Sequence, residues 1–136
     1  MTSPQDVAVG MTSEIESLAS GVSAPFAALL VCEHDADLAR QRVDEIVERL
    51  LSSGCRYFVC SGGLAEELHD LIDAALEQRG QEDIVTTFHP GESPQDVAEF
   101  FLRCASIDMR GLVALVGDKP AYVSAIGQVL ANCDSL

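Results

Sequence analysis

The stretch that decides the fold is Phe26-Ala27-Ala28-Leu29-Leu30-Val31-Cys32-Glu33-His34-Asp35. Its apolar run, residues 26–32, is continuous and does not alternate, which predicts a strand buried on both faces. A charged loop follows at once. Apolar residues at helical spacing come next and end before Gly54, so the strand leads through the loop into a helix.

The same succession of apolar run, compact polar loop and helical pattern occurs three more times. The later loops are Cys60-Ser61-Gly62-Gly63, His89-Pro90-Gly91-Glu92 and Gly117-Asp118-Lys119-Pro120. A fourfold alternation of this kind predicts a parallel sheet covered by helices. We therefore expect a single three-layer α/β/α domain over residues 25–136, with four parallel strands in a Rossmann-like or flavodoxin-like arrangement.

The order of the four strands follows from how apolar each run is. Order 3-2-1-4 is preferred, because it places the first run inside the sheet and the third run, which contains Thr86 and Thr87, at an edge. It leaves the apolar fourth run, residues 112–116, at the other edge, and order 2-1-3-4 has the same weakness. A homodimer or the N-terminal segment could cover that edge. Residues 1–24 are polar and small, and predict a flexible arm with room for one short helix.

The charge of the chain limits its partners. Twenty-two acidic residues face eight basic ones, a formal net charge of -14. Such a balance argues against binding nucleic acid or an anionic membrane, since both need clustered Lys and Arg. It favours a basic protein partner, although acidity also serves solubility alone. Neither a membrane-spanning apolar run nor a signal peptide is visible, and five cysteines without framework spacing suggest thiols in a cytoplasm. Seven Arg against one Lys suggest a bacterial source.

Two of the loops form the candidate ligand rim. With strands one and four adjacent, the crossing direction reverses between them, and ligands bind in such a crevice. The rim residues are Glu33, His34, Asp35, Asp118 and Lys119. Carboxylates, an imidazole and an amine together can bind a cation, position a phosphate or exchange protons. The alternative is that Asp35 and Asp118 cap helices and the others are solvated.

The glycine turn before the second long helix is a candidate anion site. Ser61, Gly62 and Gly63 precede a helix N-terminus, where free N–H groups favour an anion. Glu66 and Glu67 follow within one turn and would oppose a phosphate. The glycine spacing of the nucleotide-binding motifs is missing, so a plain tight turn is the stronger interpretation.

Two metal sites and a cysteine nucleophile are weaker alternatives. Ligand type alone permits zinc at Cys32, His34, Cys60 and His89, and a cysteine activated by His34 or His89. His69, Asp70 and Asp73 share one helix and could hold a divalent cation weakly. Ordinary buried thiols and a solvated acidic helix face are the stronger interpretations. No cofactor is expected. The acidic helix face consists of Glu66, Glu67, Asp70, Asp73 and Glu77.

One family resemblance is carried by two short stretches. Residues 28–35 with Asp37-Leu38 resemble the opening of a response-regulator receiver domain, where an apolar strand ends in acidic residues that hold magnesium. Lys119-Pro120 is similar to the late Lys-Pro of that family. The middle of the chain departs from it, because Phe88-His89 stands where the phosphorylated Asp would end the third strand. A βα unit is also missing, so the resemblance implies at most a non-phosphorylated relative.

The sequence therefore predicts two classes of function. The first is a non-enzymatic, acidic binding or regulatory protein, of the adaptor or toxin-neutralising type, that engages a protein partner. The second is a small ligand-binding or hydrolase-like domain whose site lies at the ends of strands one and four.

Overall fold

The computed structural model describes residues 6–81 and 83–134. Within them, five β-strands and five α-helices alternate, as the pattern of the sequence predicts for an α/β protein. The elements are β1 (Asp6–Val9), α1 (Ile15–Ser20), β2 (Phe26–Val31), α2 (Arg40–Ser53), β3 (Cys55–Ser61), α3 (Ala65–Gln78), β4 (Val85–His89), α4 (Pro94–Arg103), β5 (Gly111–Leu115) and α5 (Pro120–Asp134). Two 3₁₀ helices, Thr12–Glu14 and Asp35–Leu38, precede α1 and α2.

The strands form one parallel sheet in the order β1-β5-β2-β3-β4. The prediction of a four-stranded sheet with order 3-2-1-4 is wrong. The sheet has a fifth strand, so its complete order differs from the predicted one. That strand, β1, comes from the N-terminal segment and pairs with β5 from Asp6↔Gly111 to Val9↔Ala114. It covers the edge of the apolar fourth run. The four expected strands keep their relative positions, and β4 lies at the opposite edge.

The sheet separates two hydrophobic cores. Alternate residues of β2 enter each: Ala28 and Leu30 pack in the core beneath α1, α2 and α3, whereas Ala27 and Leu29 pack in the core beneath α4 and α5. Residues 26–30 are all buried. The continuous apolar run is therefore explained by a strand with a helical layer on each side.

Two helix ends are capped in the usual way, whereas the start of α2 has no side-chain cap. Ser93 caps α4 by accepting a hydrogen bond from the Asp96 N–H at 3.1 Å, and Gly54 ends α2 in the left-handed region at φ 110°. The alternative in which Asp35 caps the first long helix is wrong. Asp35 instead begins a 3₁₀ helix, and α2 starts at Arg40 after Ala39, which supplies no side-chain cap.

The described helices include none that is both long enough and apolar enough to cross a membrane.

Candidate functional site

The carboxyl ends of four strands surround a cleft of about 360 Å³. The loops after β2, β3, β4 and β5 all contribute to it, and α4 and α5 begin at its border. Half of its lining residues are glycine or proline, and the others include two carboxylates, one amine and one phenol. The lining residues are Glu33, Gly62, Gly63, Gly91, Glu92, Pro94, Lys119, Pro120, Ala121 and Tyr122.

A second, smaller cavity of about 70 Å³ lies toward α2. Its polar lining comes from Thr12, Arg42, Asp118 and Lys119, and apolar residues of β2, β5, α2 and α3 complete it. Lys119 borders both cavities. Its Nζ lies 3.4 Å from each carboxylate oxygen of Asp118, so a neighbouring negative charge already compensates this cation.

The structure brings together only part of the expected ligand rim. Glu33 and Lys119 line the larger cleft, and Asp118 with Lys119 lines the smaller cavity. His34 and Asp35 are exposed and line neither. From His34 the chain enters the 3₁₀ helix Asp35–Leu38, which leads to α2.

Backbone hydrogen bonds fix the Ser61-Gly62-Gly63 turn against β2. The Leu64 N–H donates to the Cys32 carbonyl at 3.1 Å, and the Ala65 N–H donates to the Gly62 carbonyl at 3.2 Å. Gly62 has φ 96° and lies directly against Cys32, whereas Gly63 faces open space beside the cleft. The N–H groups of Leu64 and Ala65, near the N-terminus of α3, are thus engaged, as in a tight turn.

Ser61 itself is fully buried and bonded to α5. Its Oγ lies 2.8 Å from the Tyr122 hydroxyl, and Tyr122 is only 5% exposed. The pair fastens the end of β3 to the first turn of α5 beneath the cleft. The sequence reasoning did not find this pair, because the two residues are 61 positions apart.

A second side-chain network lies on the α4 side of β4. His89 Nδ1 is 2.9 Å from Glu92 Oε2, and its Nε2 is 3.1 Å from Thr87 Oγ1. The imidazole packs on Phe100 with ring centroids 4.4 Å apart. Burial raises the pKa of the Tyr57 hydroxyl, and a hydrogen bond with Thr87 opposes that shift. Thr87 precedes His89 by two residues and Glu92 follows it by three. This spacing was the signal in the sequence that could have predicted the network.

The pleat of the sheet places the ligands of the alternative zinc site on opposite faces. Cys32 and Cys60 lie in the core beneath α1–α3, whereas His89 packs on Phe100 in the opposite layer. No group of three His, Cys, Asp or Glu residues suited to a metal ion occurs in the described part of the chain, which also argues against His69 with Asp70 and Asp73.

Burial raises the pKa of the Cys60 thiol, and nearby Asp73 raises it further. A thiolate nucleophile is therefore disfavoured there.

Helix α3 carries more acidic residues than any other described helix. The side chains of Glu66, Asp70, Asp73 and Glu77 are spaced at four, three and four residues, so they share one face, with Glu67 beside them. The helix contains no Arg or Lys. Its one imidazole, His69, lies 3.3 Å from Asp70 and 3.4 Å from Asp73. We call these five carboxylates the acidic face.

Carboxylates on the neighbouring helices are more often paired with arginine. Arg79, just after α3, contacts Asp44 of α2 at 3.0 Å through both terminal nitrogens, and its Nε contacts Glu48 at 2.9 Å. The Arg79 guanidinium lowers the pKa of Asp44 below its usual value. Glu99 of α4 lies 3.9 Å from Arg103. The acidic face differs because its carboxylates contact no Arg or Lys within the described residues.

A family model described as "Domain of unknown function (DUF7684)" matches residues 9–133. No curated protein matches the chain, and no solved structure does.

Proposed function

We propose that this chain, which belongs to the DUF7684 family, is a non-enzymatic binding or regulatory protein that presents an acidic surface to a basic protein partner. The role is of the adaptor or toxin-neutralising type, with the protein acting in the cytoplasm. Three cysteines that are thiols, Cys55, Cys60 and Cys104, support that location.

The observation that carries the proposal is the acidic face of α3. Four of its carboxylates, Glu66, Glu67, Asp70 and Glu77, are exposed. In a chain of net charge -14, they create a negative field that arginines do not neutralise locally. Such a field accelerates encounter with a basic surface and rejects acidic ones.

Two polar side chains near the strand ends, Ser61 and His89, form hydrogen bonds within the protein. The Ser61 hydroxyl is bonded to Tyr122, and both ring nitrogens of His89 contact Thr87 or Glu92. The alternative of a ligand or hydrolase-like site at the ends of β2 and β5 has narrower support. The cleft is present, but of the five rim residues only Glu33 and Lys119 line it.

The proposal is tested by the salt dependence of binding to a basic probe. The probe is a synthetic peptide of about ten residues in which lysine and valine alternate, and a glutamate–valine peptide of equal length is its control. When the salt concentration rises from about 50 mM to about 500 mM, screening should lower the affinity for the lysine peptide by at least about tenfold. The glutamate peptide should not bind. Equal affinity for the lysine peptide at both salt concentrations would remove the basis for the proposed function.

A further inference from the structure

We infer that the free edge of β4 is the docking strand for the partner, which adds a basic, extended segment to the sheet beside α3. This inference rests on the proposed function and specifies its surface and its mode of binding. Strand addition of this kind derives affinity from backbone hydrogen bonds and specificity from alternate side chains.

The outer edge of β4 has no partner among the described residues. β4 pairs with β3 on one side, from Tyr57↔Val85 to Ser61↔His89, and no described strand pairs with its other side. Among the described residues, no backbone hydrogen bond outside the sheet ladder involves residues 85–89. Natural edge strands are protected by lysine, proline or bulges, and Val85–His89 contains no lysine or proline.

Two large apolar side chains are exposed on this strand. Val85 is 47% exposed and Phe88 is 40% exposed, and they lie on opposite faces of the sheet. Phe88 packs on His69 of α3 with ring centroids 4.6 Å apart. Since His69 contacts Asp70 and Asp73, the acidic face continues directly to the edge of β4.

The negative charge beside the edge of β4 favours a basic segment as the added strand. Side chains of an added strand alternate between the two faces, so every second residue would lie on the α3 side, near Asp70 and Asp73. Lysine or arginine at those positions would complement the carboxylates. A second copy of this chain would instead bring another acidic face beside the first, and like charges would repel.

The test uses the lysine–valine peptide and two matched variants. Val85→Lys places a charge on the edge of β4, whereas Val123→Lys makes the same change at a 40% exposed position on α5. We expect Val85→Lys to weaken binding by about tenfold or more, and Val123→Lys by less than about twofold. In the unmodified protein, bound peptide should protect those backbone amides of residues 85–89 that point to the free edge, which belong to every second residue, from hydrogen exchange.

The outcomes separate this inference from the function on which it rests. Equal losses in the two variants, or unprotected β4 amides with bound peptide, would overturn edge docking while salt-dependent binding still supported the acidic surface. Dimers of the chain alone that protect residues 85–89 and dissociate in Val85→Lys would overturn the basic partner in favour of a second copy. Binding that does not depend on salt would contradict the proposed function itself.

Discussion

Replacing Gly62 with alanine is expected to lower the free energy of unfolding by about 3 kcal/mol or more. Gly62 has φ 96°, where a side chain is strained, and an added Cβ would overlap the carbonyl oxygen of Cys32. It would also lie 2.9 Å from the carbonyl carbon and 3.0 Å from the nitrogen of that residue. These are backbone atoms that follow β2, so relief requires the β2–β3 junction to separate.

Gly63 provides the matched control for this substitution. Its φ is outside the left-handed region, and a Cβ there would meet nothing within 4 Å. Gly63→Ala should therefore change the free energy of unfolding by less than about 1 kcal/mol. Urea unfolding of both variants measures the difference, and similar stabilities for the two would contradict the close approach of Gly62 to Cys32.

The buried Ser61–Tyr122 pair should show strong coupling in a double-mutant cycle. Ser61→Ala or Tyr122→Phe alone leaves the other hydroxyl buried without its partner, which costs about 1–3 kcal/mol. The double variant removes both hydroxyls, so it should lose clearly less free energy of unfolding than the two single variants lose in sum. Stability is measured by urea unfolding, and strictly additive losses would show that the two hydroxyls are not bonded.

Elements whose signal is local were predictable from the sequence. The continuous run at residues 26–32 indicated a strand buried on both faces, and Thr86 with Thr87 indicated an edge strand. Strand β1 was missed because Asp6–Val9 is only four residues long and is defined by its pairing with β5, about a hundred positions away. The start of α2 was misplaced because a 3₁₀ helix intervenes between the loop and the helix.

The candidate site was less predictable, since it depends on which side of the sheet each residue faces. The zinc hypothesis grouped Cys60 with His89, although the ladder pairs Cys60 with Phe88 and Ser61 with His89. Adjacent residues of a strand point to opposite faces, so a one-residue difference in register separates Cys60 from His89. The bond from Ser61 to Tyr122 requires in addition the placement of α5 against β3, which no local pattern encodes.

We expect the acidic face of α3, rather than net charge alone, to bind the partner. Glu66→Gln with Glu77→Gln neutralises both ends of this face. Asp96→Asn with Asp108→Asn removes the same charge at exposed positions away from α3. All four positions lack an ion pair with any described residue.

The most direct measurement is the dissociation constant of the lysine–valine peptide for these two double variants and the unmodified protein at low salt. We predict that the α3 variant binds at least about fivefold more weakly, and that the control variant stays within about twofold of the unmodified protein. Equal weakening in both variants would contradict the account, because binding would then follow net charge and not the acidic face.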